Sequence, residues 1–173
     1  YDKNENNVFM YAIMKNEYDM AEYLVDEFNV EKMKSERYNF SALHFAVSKN
    51  VPEVILNKLF SKGADVHAKT IKGLSVLSGA LANNNLSAAK KLKECGADVS
   101  SDGGDFLPLM SASRFDGEES IRWVFDSGGR IDGQGVGVKT ALMIAAIHNN
   151  EDGVKELLAC GASLYIQLSI IPI

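Results

Sequence analysis

The chain alternates between short segments that carry apolar residues every three or four positions and polar breaks rich in asparagine and glycine. In the stretch ALHFAVSKN followed by VPEVILNKLFSKG, two such segments are separated by a break at Asn50. Similar breaks fall at residues 83–85 and 149–150. Apolar residues at this spacing form one buried face of a helix, and asparagine or glycine favours the turn that ends it. The pattern therefore predicts pairs of short helices joined by tight turns.

The same spacing assigns a buried face to the second helix of each pair. It is formed by Met20, Tyr23 and Leu24; by Val54, Ile55 and Leu59; by Ile121, Val124 and Phe125; and by Val154, Leu157 and Leu158. A glycine follows each of the last four predicted second helices, at Gly63, Gly96, Gly128 and Gly161. Because glycine has no Cβ, it adopts a positive φ at the end of a helix at little cost. We therefore predict that these helices end at their glycines.

The helix pairs recur with one period. The segments NVFMYA, SALHFA, SVLSGA, LPLMSA and TALMIA end at alanines separated by 34, 34, 32 and 33 residues. The turns GADV, GADV, GGRI and GASL follow at intervals of 33, 32 and 33 residues. A unit of this size cannot bury both of its helices alone, so neighbouring units must stack. Residues 1–173 are thus predicted to form a single array, with approximate units 4–36, 37–69, 70–102, 103–134 and 135–167.

The five hexamers resemble the T-P-L-H-x-A signature of ankyrin repeats, and the GADV segments resemble the turn of that family. SALHFA keeps the histidine, LPLMSA the proline and TALMIA the threonine, although no hexamer matches at every position. The resemblance implies an all-α, ankyrin-type helix-turn-helix repeat solenoid with β-turn fingers. It also implies that His44 bonds backbone groups between adjacent repeats and does not act as a catalytic base.

The two ends of the chain are less regular. Residues 168–173 are interpreted either as a cap or as the start of a following segment. The first residue is not methionine and the last five, SIIPI, are apolar, so we expect the chain to be part of a longer protein.

Composition and charge narrow the classes of partner. The formal net charge of −5 argues against a nucleic-acid partner, since such surfaces are built around clustered lysine and arginine. No apolar run approaches the roughly 20 residues that span a bilayer, so we expect no membrane insertion. Cys95 and Cys160 belong to no Cys/His cluster of zinc-site spacing. We expect an intracellular protein, cytoplasmic or nuclear.

Candidate chemistry is sparse. The glycine-rich stretches SSDGGD and GGRIDGQGVG lack both the GK[ST] of a phosphate loop and the alternating acids of a calcium loop. No Ser/His/Asp or paired-carboxylate arrangement has supporting context. We therefore expect no catalytic residues, no cofactor and no metal.

The resemblance implies that ligands bind on a concave face formed by the fingers and the ends of the first helices. The finger residues Phe40, Leu74 and Phe106 are apolar where a solvated scaffold would be polar, and so is Phe115 at the end of a first helix. Exposed apolar and aromatic residues often mark interfaces. An alternative is that these side chains fold onto neighbouring fingers as local core. The predicted partner-binding residues are Arg37, Tyr38, Phe40, Lys49, Ile71, Lys72, Leu74, Asn83, Phe106, Arg114, Phe115, Lys139 and His148.

The sequence thus predicts a monomeric, non-catalytic scaffold that binds another protein or peptide. One alternative is the targeting or regulatory arm of a larger enzyme. A second is a structural spacer or self-associating array, for which the apolar C-terminal end is the argument.

Overall fold

The computed structural model of the chain describes residues 7–35, 37–100, 106–115 and 117–165. These ranges contain ten α-helices, and the predicted all-α fold is confirmed. In chain order they are α1 (Val8–Met14), α2 (Tyr18–Glu27), α3 (Ala42–Ser48), α4 (Glu53–Ser61), α5 (Val76–Leu81), α6 (Leu86–Glu94), α7 (Pro108–Ala112), α8 (Glu118–Asp126), α9 (Ala141–Ile147) and α10 (Glu151–Ala159). Residues 168–173, interpreted as a cap or a following segment, lie outside the described ranges, as do residues 4–6 and 166–167 of the terminal units.

The helices form two rows. The odd-numbered helices pack consecutively on one another, and each also packs on the even-numbered helix that follows it. The core lies between the rows and contains one contiguous cluster of buried apolar side chains. Each repeat therefore contributes a first helix and a second helix to a continuous stack, as expected for units that cannot bury both helices alone.

In each first helix the first residue of the hexamer is the N-cap, and the helix begins at the second residue. The side chains of Asn7, Ser41, Ser75 and Thr140 accept hydrogen bonds from the backbone three residues later and so cap α1, α3, α5 and α9. In α7 the N-cap is Leu107, whose side chain makes no such bond, and proline occupies the first helical turn, where its missing N–H costs nothing.

The predicted turns are confirmed. Gly63, Gly96, Gly128 and Gly161 have φ angles of 76°, 96°, 97° and 90°. The asparagine-rich breaks are turns with the same backbone conformation, since Asn16, Asn50, Asn84 and Asn149 also have positive φ. Among residues with a side chain, asparagine tolerates this conformation unusually well.

The predicted buried faces of the second helices are partly wrong. Met20 and Tyr23 are 51% and 56% exposed, and Val54 and Leu158 are exposed as well. In α2 the buried residues are Ala21, Leu24 and Val25. Alanine therefore lies on the contact line of α2, and the larger side chains of Met20 and Tyr23 face solvent. Leu24, Ile55, Leu59, Ile121, Val124 and Leu157 are buried as predicted.

The segments that precede the first helices form the fingers. The α3 finger comprises the described residues 35 and 37–40 and is closed by a bridge between Ser35 and Phe40. The α5 finger, residues 69–75, is closed by a bridge between Lys69 and Ser75. The α7 finger is described from Phe106 onward. The surface made by the fingers and the adjoining first helices is called the finger face below.

Candidate functional site

A groove of about 490 Å³ opens on the finger face and is lined by residues of the first four repeats. Six of the predicted partner-binding residues line it, drawn from the α3, α5 and α7 fingers: Tyr38, Phe40, Ile71, Lys72, Leu74 and Phe106. The structure therefore brings nearly half of the predicted set together at one place.

Aromatic packing forms the floor of the groove. The ring of Phe40 lies 5.1 Å from the ring of His44 and meets Phe45 edge-on at 6.2 Å between centroids. Phe40 is half-buried and packs against the core. The alternative that apolar finger residues fold down as local core thus describes Phe40, which both supports the fold and lines the groove.

Two apolar side chains on the groove's upper edge stay accessible. Ile71 is 65% exposed and Tyr38 is 44% exposed. They lie side by side because the backbone N–H of Ile71 donates to the carbonyl of Tyr38 over 3.1 Å. The Asn39 side chain adds a second link between the two fingers by donating to the carbonyl of Lys69 over 2.7 Å. The accessible apolar edge is therefore held by paired fingers.

His44 fixes the position of the α5 finger. Its Nε2 lies 3.0 Å from the carbonyl oxygen of Leu74, and its Nδ1 lies 2.8 Å from the Ser41 hydroxyl. A carbonyl only accepts, so Nε2 carries the hydrogen and Nδ1 accepts from Ser41. Burial lowers the pKa of this imidazole, which is 1% exposed. The role implied by the resemblance is confirmed, since His44 bonds the backbone of the next repeat.

Ser78 repeats this arrangement one unit further on. It occupies the hexamer position of His44, and its hydroxyl donates to the carbonyl of Phe106 over 2.7 Å. Leu74 and Phe106, both lining residues, are therefore held by side chains at the same motif position in consecutive repeats.

Basic groups surround the groove. Lys72 lines it directly. The Arg37 guanidinium carbon lies 5.3 Å from the centroid of the Tyr38 ring, and the Lys49 ammonium lies 6.0 Å from that of Phe45. Both rings line the groove, so all three cations lie at its margin.

Four lining residues were not predicted: Met10, Ser35, Phe45 and Thr70. Phe45 occupies the variable position of SALHFA, which is the position through which a hexamer can present a side chain outside the core. Thr70 shapes the α5 finger, since its hydroxyl accepts from the N–H of Leu74 over 3.1 Å. Attention to the variable hexamer position would have identified Phe45.

The other predicted residues lie outside this groove. Asn83 donates to the carbonyl of Gly79 over 2.8 Å at the end of α5. Phe115 is 46% exposed after α7. Arg114, Lys139 and His148 are exposed at other points of the finger face.

Comparison with known proteins decides the family. A family model described as ankyrin repeats (three copies) matches residues 1–70 and 77–167. The chain belongs to the ankyrin-repeat family. A search of curated proteins finds no match to it. Ankyrin repeats generally mediate protein–protein interaction, and the family is typically non-catalytic.

Other chemistry is limited in the described part of this ankyrin-repeat array. Residues 7–35, 37–100, 106–115 and 117–165 contain no group of three or more His, Cys, Asp or Glu side chains placed to hold a metal ion. Cys95 and Cys160 are free thiols, and burial raises the pKa of Cys160. In the same described ranges, every helix is too short or too polar to cross a membrane.

Proposed function

We propose that this ankyrin-repeat array is a non-catalytic scaffold that binds a partner protein or peptide in the groove between the α3 and α5 fingers. The observation that carries the proposal is the convergence of six predicted contact residues on one cavity, with Ile71 and Tyr38 exposed at its edge. We further propose that the protein acts as a monomer in the cytoplasm or nucleus.

The groove has the physical character of a binding site. Fully burying an isoleucine side chain contributes about 1.5–3 kcal/mol, and Ile71 has most of its surface still in water. The half-buried Phe40, Leu74 and Phe106 supply a preformed floor, so a ligand would bury the edge residues without rearranging the core.

The experiment that tests the proposal is affinity capture from host lysate with three forms of the full chain. These are the wild type, Ile71→Glu and the matched control Val54→Glu. Val54 is a β-branched residue, 46% exposed on α4 and outside the groove lining. Circular dichroism and thermal melting establish that all three are folded.

We expect one or more proteins to be retained by the wild type and by Val54→Glu and to be lost from Ile71→Glu. Equal retention by all three forms would place the binding site elsewhere. Phe40 and Phe106 are unsuitable as first variants because both are partly buried, and their replacement would also change stability.

A self-associating array is the second candidate, favoured by apolar side chains at both ends. Val8 is 66% exposed, although Ala42 and Val76, at the same hexamer position, are 2% and 0% exposed. Near the other end, Leu164 is exposed. Sedimentation velocity over a range of concentrations separates the candidates, because end-to-end association raises the mass with concentration and a monomer does not.

A further inference from the structure

We propose that the groove selects a segment of a partner protein in which bulky apolar side chains are flanked by aspartate or glutamate. This inference rests on the proposed function and adds the chemistry of the ligand to it.

The apolar part of the ligand follows from a row of side chains with the period of the repeats. Phe40, Leu74 and Phe106 each immediately precede a hexamer, in three consecutive repeats, and all three line the groove. Neighbouring packed helices lie about 8–10 Å apart, so the row offers successive apolar contacts along the array. At the same position before α9 the residue is Lys139, and the apolar row ends there.

The acidic part follows from the charges at the groove. Among the described residues that line it, Lys72 alone is charged. Arg37 and Lys49 lie over the lining rings of Tyr38 and Phe45. A ligand that places carboxylates beside its apolar anchors would meet these cations at the margin, where complementary charge favours the correct partner.

Several of the chain's own carboxylates form ion pairs on the other row of helices. Glu22 and Asp26 pair with Lys58 at 3.1 and 2.6 Å, and Glu119 pairs with Lys90 at 2.9 Å. These pairs join successive second helices, on the side away from the fingers. A net charge of −5 is thus compatible with a basic groove margin.

Single-stranded nucleic acid also combines anionic groups with flat apolar surfaces, and it binds grooves that carry cations and aromatic rings. Such grooves track successive phosphates with cations along their length, whereas here Lys72 alone is charged among the described lining residues, and Arg37 and Lys49 lie at the margin. The observations therefore favour an acidic peptide.

The test is selection of random peptides displayed on phage against the immobilised full chain, with Ile71→Glu as the background. The most frequent selected peptide is then labelled with fluorescein and titrated by anisotropy against the wild type, Lys72→Glu and Lys155→Glu. Lys155 is an exposed lysine of α10 in the fifth repeat, outside the groove lining, so its variant is a matched charge control.

We expect selected peptides to contain leucine, isoleucine or an aromatic residue next to aspartate or glutamate. Lys72→Glu should weaken binding about tenfold, Lys155→Glu should leave it unchanged, and rising salt should weaken it.

Three outcomes would overturn the inference. Selected peptides that are apolar but not acidic, and that still need Ile71, would refute the charge preference while leaving the proposed function intact. Tighter binding of a labelled single-stranded oligonucleotide, lost in Lys72→Glu, would replace the peptide with nucleic acid. Equal selection on the wild type and Ile71→Glu would remove peptide binding from this groove, and the lysate capture then decides whether a folded partner uses it.

Discussion

The two halves of the finger face hold neighbouring repeats together in different ways. In the half that contains the groove, His44 and Ser78 reach across to the carbonyls of Leu74 and Phe106. The residue at that motif position in the fourth repeat is Met110, whose buried thioether side chain has no hydrogen to donate.

The fourth and fifth repeats are joined at another place. Asn150, just before α10, donates from Nδ2 to the carbonyls of Ser113 and Phe115 over 3.2 and 2.6 Å. This link ties the loop after α7 and does not reach a finger. The groove therefore forms where the fingers themselves are bonded side by side, and the kind of junction between repeats determines where the array presents a concave apolar site.

The largest expected effect is that of His44→Ala. It removes the bond to Leu74, the partner of Ser41 and the ring packed on Phe40, so we expect a loss of about 3 kcal/mol in the free energy of unfolding. Urea denaturation measures it. Because the α5 finger loses its anchor, groove binding should weaken in the variant under conditions where it remains folded.

Asn150→Ala tests the other half. Its loss leaves two carbonyls without this donor and removes the cap of α10, so we expect destabilisation by about 2 kcal/mol. Binding of a groove ligand to the folded variant should be unchanged. If Asn150→Ala weakened that binding as much as His44→Ala, the two halves of the finger face would not be independent of each other.

Gly129→Ala distinguishes the fourth repeat from the others. Ala64, Ala97 and Ala162 occupy this position elsewhere, so alignment of the repeats alone favours the change. In the structure, a Cβ on Gly129 would lie 2.5 Å from Cγ1 and 2.8 Å from the carbonyl oxygen of Val124. We expect destabilisation by about 1–2 kcal/mol, measured by urea denaturation.

The control for this prediction is the double variant with Val124→Leu, since leucine occupies the corresponding position in α4, α6 and α10. Removing the β-branch should recover part of the loss. If the Gly129→Ala single variant were more stable than the wild type, the fourth repeat would accommodate the added Cβ as the repeats with alanine do.

Much of the fold was predictable because its determinants are local. The glycines that end second helices need positive φ, and the first residue of most hexamers carries a capping side chain. The faces of the second helices were harder. Counting only large apolar residues selected Met20 and Tyr23, whereas the contact line uses Ala21.

The groove was predictable only in part. The family resemblance located the fingers, which supplied Tyr38, Ile71 and Lys72. It did not show which fingers pair, because the link from Ile71 to Tyr38 is between backbone groups and leaves no mark in the side-chain pattern. Phe115 and His148 were included for their place in the repeat, yet they lie outside the groove lining.

The smallest expected effect is a pH dependence confined to the groove half. Burial lowers the pKa of His44 from its ordinary value of 6.5, although the Leu74 carbonyl and the charge of Asp65 oppose the shift. The unfolded chain therefore binds a proton at a higher pH than the folded chain. Stability from this group is fully present above pH 6.5 and falls as the pH drops toward the lowered pKa, by at most about 1.4 kcal/mol per pH unit.

Urea denaturation at a series of pH values below 7 measures this slope in the wild type and in His44→Gln, which keeps a polar side chain but does not titrate. The Asn150→Ala variant serves as the control, because it perturbs the other half and leaves His44 in place. We expect the slope in Asn150→Ala to match the wild type and the slope in His44→Gln to be shallower. An unchanged slope in His44→Gln would assign the acid sensitivity to other groups and would break the link between the buried imidazole and the finger that shapes the groove.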